Sequence, residues 1–210
     1  MTPTVINLRL VNQSDTPGEL SFAIFQKNGA PGFEGPARPW LIFRKLGHGD
    51  STAFDFTTEL KVAVSDTYGN YTPQMTAEPG QKFQMIRSES GDELVQHGET
   101  TDPEVIDVWN MLEQGAIDAH CYRSGKRLYT QTNVVPQQKA SFQFDDTIHI
   151  ENILAVEIDH SEDFDQIMDE GAPIRLTGIA SADIVVKGGG IGMSAQAYSY
   201  HLENVVMKDA

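Results

Sequence analysis

The feature that most constrains this chain is a β pattern written twice. Residues 53–62 align without gaps against residues 141–150. Phe54 falls on Phe142, Phe56 on Phe144, Leu60 on Ile148 and Val62 on Ile150, each pair 88 positions apart. Upstream, Leu20, Phe22, Ile24 and Phe25 align with Ile117, Ala119, Cys121 and Tyr122 at a spacing of 97. The polar positions do not recur: Asp55 stands against Gln143, Thr58 against Asp146 and Lys61 against His149. What repeats is an apolar face, so the repeat is a packing device with no shared active site in it.

The remaining pattern extends the β reading. Ile6, Leu8 and Leu10 alternate with Asn7, Arg9 and Val11, as a half-buried strand requires. Turn residues recur at short intervals, among them Asn12 to Gly18, Asp66 to Asn70, Ala77 to Gly80 and Ser124-Gly125. Many short strands between such turns predict an all-β fold: an antiparallel β-sandwich, or a barrel, built from two duplicated halves with at most one or two short helices. The halves are expected at 1–90 and 104–210, packed as one compact unit and joined by a polar linker at 91–103. Two segments are ambiguous. Val105, Trp109 and Leu112 fit a helix, whereas Ile106, Val108 and Asn110 fit a strand, and the repeat favours the strand. Phe164, Ile167 and Met168 share a helical face, which predicts a short helix or acidic loop over 159–170.

Net charge bounds the partners. Fifteen basic residues against 30 acidic ones leave −15, which repels nucleic-acid phosphates and anionic lipid headgroups. Neither nucleic-acid binding nor a membrane span is expected, because the apolar runs are far too short to cross a bilayer. The N-terminus has no basic stretch followed by an apolar core, so the cytoplasm is the expected compartment, with signal-less export as the alternative. The single Cys121 fits a reducing compartment and reads as a small buried hydrophobe.

Candidate chemistry is sparse. The acidic run from Glu157 to Glu170 contains Asp159, Asp163 and Asp165, whose carboxylates are the candidate ligands for a hard cation such as Ca²⁺; the competing reading is a solvated helical face. The glycine- and proline-rich stretch Lys27–Pro39 reads as a long exposed loop. Phe33, Arg38 and Trp40 on it, with Tyr68 and Tyr71 at a hairpin tip, are the candidate ligand-binding residues, although Trp40 leads into Leu41-Ile42-Phe43 and reads also as core. Gly188-Gly189-Gly190 is followed by a strand, so it reads as a glycine crossing where another backbone approaches closely, not as a phosphate loop. The six histidines show no metal-ligand spacing, and His149 is expected to face solvent.

Val11-Asn12-Gln13-Ser14, Ile24-Phe25-Gln26-Lys27-Asn28, Trp40 and Gly190-Ile191-Gly192-Met193-Ser194 together resemble a pattern in a group of uncharacterised bacterial β-proteins. The resemblance implies a bacterial source and transfers no activity or site residue. Three functions then compete: a non-catalytic sandwich acting through self-assembly or a protein partner, with a homo-oligomer expected; a lectin-like glycan-binding module, cation-assisted; and a hydrolase built on a carboxylate pair.

Overall fold

The computed structural model describes residues 4–32, 37–153 and 171–208. Its first eight strands are β1 (Val5–Asn12), β2 (Leu20–Phe25), β3 (Leu41–Leu46), β4 (Ser51–Thr57), β5 (Leu60–Ser65), β6 (Met75–Ala77), β7 (Gln81–Ser88) and β8 (Gly91–Glu99). The next eight are β9 (Ile106–Asn110), β10 (Ile117–Arg123), β11 (Lys126–Val134), β12 (Lys139–Phe142), β13 (Thr147–Ile153), β14 (Ala172–Arg175), β15 (Ile179–Gly189) and β16 (Gln196–Met207). No α-helix occurs among the described residues. The strands form four open four-stranded sheets with no barrel closure, so of the two expected architectures the sandwich is the one found.

The second eight strands repeat the first, strand for strand. β1 lies between antiparallel β4 and parallel β15, and β9 lies between antiparallel β12 and parallel β7. β15 and β7 each carry an antiparallel edge strand, β16 and β8. In the companion sheets β2 pairs with β3 and β13, and β10 pairs with β11 and β5; β13 and β5 then carry the short strands β14 and β6. Register repeats too. Leu8 opposite Phe54 corresponds to Ile106 opposite Phe142, and Ile24 opposite Leu41 to Cys121 opposite Tyr129. The irregularity between Leu20 and Phe22 recurs between Ile117 and Ala119.

The repeats and the compact units do not coincide. One unit comprises the described residues within Met1–Lys27, Pro36–Thr58 and Asp146–Ala210; it holds sheets β16-β15-β1-β4 and β14-β13-β2-β3. The other comprises those within Asn28–Gly35 and Glu59–Asp145; it holds β11-β10-β5-β6 and β12-β9-β7-β8. Each repeat is therefore divided at its middle, four strands to each unit. The aligned stretches 53–62 and 141–150 each contain a point where the chain crosses between units, at 58–59 and at 145–146.

Apolar alternation places each core. Ile6, Leu10, Phe22, Ile24, Phe56, Ile148 and Ile150 are buried in the first unit, and Val62, Phe83, Ile106, Val108, Ile117 and Phe142 in the second. Removing a side chain of this size from water contributes roughly 1.5–3 kcal/mol. Both units bring aromatic side chains of two sheets together: Phe43 lies 5.3 Å from Phe54, and Tyr129 lies 6.3 Å from Phe142.

A buried asparagine ties the sheets at the same point in each unit. Asn12 Nδ2 donates to Leu46 O at 2.8 Å, and its Oδ1 accepts from Ser14 N at 3.0 Å. Asn110 Nδ2 donates to Val134 O at 2.9 Å and to Gly115 O at 2.8 Å, and its Oδ1 accepts from Leu112 N at 3.1 Å. Buried backbone groups need hydrogen-bond partners, so a buried amide here stabilises the corner.

Three expectations are corrected, and one, the strand after Pro103, is borne out. Most of the presumed linker at 91–103 is β8, a full edge strand on β7. The ambiguous segment after Pro103 contains strand β9, as the repeat required. In the presumed exposed loop, Ala30 and Ala37 are buried, and Asn28 Oδ1 accepts from Gln143 N at 2.8 Å. His149 does not face solvent freely: its ring stacks on Phe25 with centroids 5.2 Å apart. The segment 159–170 lies outside the described residues.

Candidate functional site

Two places in the described structure have the exposure a site requires. The first is a cleft of about 330 Å³ in the second unit, lined by Asp66, Tyr71, Met75, Met85, Asp92 and Glu93 among others. Its turn is shaped by one carboxylate. Asp66 Oδ1 accepts from Tyr68 N at 2.8 Å and Asn70 N at 2.9 Å, and Oδ2 accepts from Asn70 Nδ2 at 2.8 Å. These bonds, Asn70's side chain first, hold the Asp66 carboxyl below its ordinary range. Across the cleft, Asp92 pairs with Arg87 at 2.6 Å. Two of the three lining carboxylates are thus engaged in holding turns, which weakens the reading of this site as a catalytic acid pair.

Below the cleft lies a buried histidine. His120 Nε2 is 3.0 Å from Ser65 Oγ, and His120 Nδ1 is 2.8 Å from Thr130 Oγ1. Tyr71 stacks on the imidazole with centroids 5.1 Å apart. Desolvation pushes the His120 pKa down to about 4, with Arg127 adding to the shift and Asp118 opposing it. Ser65 and His120 are both buried. The third partner is a hydroxyl where a catalytic relay has a carboxylate, so the group acts as a hydrogen-bonded tie across β5, β10 and β11. Cys121 next to it is fully buried, its thiol pushed up to about 12 by desolvation, as a structural cysteine behaves.

The second place is the β15–β16 hairpin of the first unit. Gly188, Gly189 and Gly190 all have positive φ. A Cβ on Gly188 would overlap Ala197 O, and one on Gly189 would meet Thr16 Oγ1 and come within 2.7 Å of the Tyr198 ring. The glycines let the backbones approach as the sequence suggested. Thr16 locks the turn: its Oγ1 is 2.7 Å from Tyr198 OH and accepts from Gly190 N at 2.9 Å. From there β16 runs twelve residues along the edge of its sheet. Lys187 pairs with Glu203 at 2.7 Å, and Asp183 accepts from Arg9 Nε at 2.8 Å and from Asn204 Nδ2 at 2.6 Å. The Arg9 bond, foremost, lowers the Asp183 pKa. Asn204 has φ +50°, and the ladder is irregular here. Beyond it Val205, Val206 and Met207 are exposed at 43%, 55% and 59%, and in the turn Ile191 and Met193 are exposed as well.

The predicted site residues are dispersed. Tyr71 lines the cleft, while Tyr68 stands out into solvent. Trp40 is 4% exposed, packs edge-on against Phe56 at 6.1 Å and belongs to the core, which corrects its reading as a ligand-binding residue. Arg38 is exposed but lies in the first unit, apart from the tyrosines of the second. Phe33 and the cation candidates Asp159, Asp163 and Asp165 lie outside the described residues. Among the described residues no group of three or more His, Cys, Asp or Glu is placed to hold a metal. No helix among them is long and apolar enough to cross a membrane.

Sequence reasoning missed the β16 edge. Its signal is present: residues 188–200 carry no Asp, Glu, Lys or Arg in a chain of net charge −15, and Val205-Val206-Met207 ends the strand. Comparison of the chain with protein-family models, curated proteins and solved structures finds no match.

Proposed function

We propose that this chain is a non-catalytic β-sandwich protein that works by self-assembly along an exposed strand edge. The observation that supports the reading is β16: a twelve-residue edge strand ending in exposed Val205, Val206 and Met207. Long apolar edges present unpaired backbone groups and template the pairing of another strand, and proteins that stay monomeric shorten them or charge them. The equivalent edge β8 carries Asp92, Glu93 and Glu99. Light scattering on the full chain over a hundred-fold concentration range tests the reading. A concentration-dependent rise above 23.2 kDa supports it; a monomer throughout sinks it.

A glycan-binding module is a second reading, favoured by the cleft, where Tyr71 combines an aromatic ring with the carboxylates of Asp66 and Glu93. A glycan array with and without Ca²⁺, repeated on Tyr71→Ala, tests it. Binding lost in the variant supports the cleft, and a blank array removes it.

A further inference from the structure

We infer that the occupant of the β16 edge is the β16 of a second copy, running antiparallel with Leu202 opposite the partner's Leu202; this rests on the self-assembly reading. Three observations carry it. The first is charge. Two copies at −15 repel, and the repulsion is weakest where acids are fewest. Across residues 187–208 the charged side chains are Lys187, Glu203 and Lys208, so this stretch alone is net +1 with His201 neutral.

The second is self-complementarity in this register. His201 stands opposite the partner's Glu203, and Glu203 opposite the partner's His201, which sets an imidazole against a carboxylate twice. His201 is exposed and Glu203 is partly so. A parallel pairing would set Glu203 against its own copy, and like charges directly opposite destabilise a ladder. The third is the placement of apolar side chains. The strand is polar at its centre and apolar beyond Asn204, and the turn before it exposes Ile191 and Met193. Antiparallel pairing brings Val205, Val206 and Met207 to the partner's Ala197–Ser199 end, beside its Ile191–Met193 turn. One interface would cover both exposed apolar groups, joining two four-stranded sheets into one of eight.

The test is a charge cycle read by sedimentation equilibrium on the full chain, with circular dichroism confirming the fold of each variant. His201→Asp sets Asp against the partner's Glu203 and is expected to raise the dimer dissociation constant about ten-fold. Glu203→Lys alone also weakens the dimer. His201→Asp combined with Glu203→Lys sets opposite charges across the pair and recovers most of the affinity. Val206→Lys, which leaves the cycle intact, weakens the dimer by at least about ten-fold. An oligomer indifferent to Val206→Lys, or a double variant no tighter than the singles, overturns this register while leaving self-assembly standing. A wild-type chain that stays monomeric overturns both.

Discussion

The two units share every strand pairing, yet they close their edge hairpins in opposite ways. β7–β8 turns tightly, with Ser88 opposite Gly91, and its outer strand carries Asp92, Glu93 and Glu99. β15–β16 turns through three left-handed glycines and a 3-10 turn at Gly192–Ser194, and its outer strand is twelve residues long and weakly charged. The same difference appears inside. His120 in β10 occupies the position that Ala23 holds in β2, with Thr130 opposite one and Ile42 opposite the other. A duplicated sandwich thus keeps the register that its core demands and varies where that demand is weak, at edges and at single interior positions.

The largest expected effect is local to the glycine turn. Gly189→Ala adds a Cβ at φ +79° against Thr16 and Tyr198 and should cost about 4 kcal/mol, from backbone strain and overpacking together. Ser88→Ala, in the matching turn of the other unit, should cost less than about 1 kcal/mol. Thermal melts of both variants make the comparison, and equal losses would break it.

Acid should separate the units next. The folded His120 has a pKa of about 4 against an unfolded value of 6.5, so between these the unfolded chain binds the extra proton. The contribution of His120 is complete above pH 6.5 and is lost as the pH falls toward 4, by about 3 kcal/mol at most. Denaturant melts from pH 7 to 4 measure it, with His120→Gln as the control that flattens this window. Ala23 supplies no such term. Backbone amide exchange should therefore accelerate in β5, β10 and β11 before it does in β2, β3 and β13; the reverse order contradicts the assignment.

The asparagine corners test the part that is shared. Asn110→Ala and Asn12→Ala should each cost about 2 kcal/mol, Asn110 the more because it makes three bonds to Asn12's two. Smallest is Glu93→Gln on the β8 edge, within about 0.5 kcal/mol. These values come from chemical denaturation of single variants.

Local pattern carried much of this fold. The spacing of 88 lies on β4–β5 and β12–β13, the spacing of 97 lies on β2 and β10, and the repeat decided β9 where periodicity alone was divided. Three things stayed hidden for physical reasons. β8 has little buried surface, so it lacks the alternation that marks a strand and resembles a linker. The division of each repeat between units depends on pairings between distant residues, which leave no trace in local composition. Asn12 reads as a turn residue by type; only its place at a strand end, repeated by Asn110, marks it as a buried tie. Of the candidate site, Tyr71 was legible as a hairpin-tip aromatic. Its neighbours Met75, Met85 and Glu93 meet it only through the sheet pairings of β5, β6, β7 and β8.

The division of the repeats also sets an order of assembly during synthesis. Arg9 on β1 meets Asp183 on β15 across 174 residues of chain, whereas Ser65 and His120 in the other unit meet across 55. Once residue 145 has left the ribosome, every strand of the second unit is available. At that moment β1 to β4 still wait for β13 to β16, which are made later. The first unit closes only when β13 to β16 arrive, and until then the apolar faces of its early strands depend on whatever holds a nascent chain apart from its neighbours.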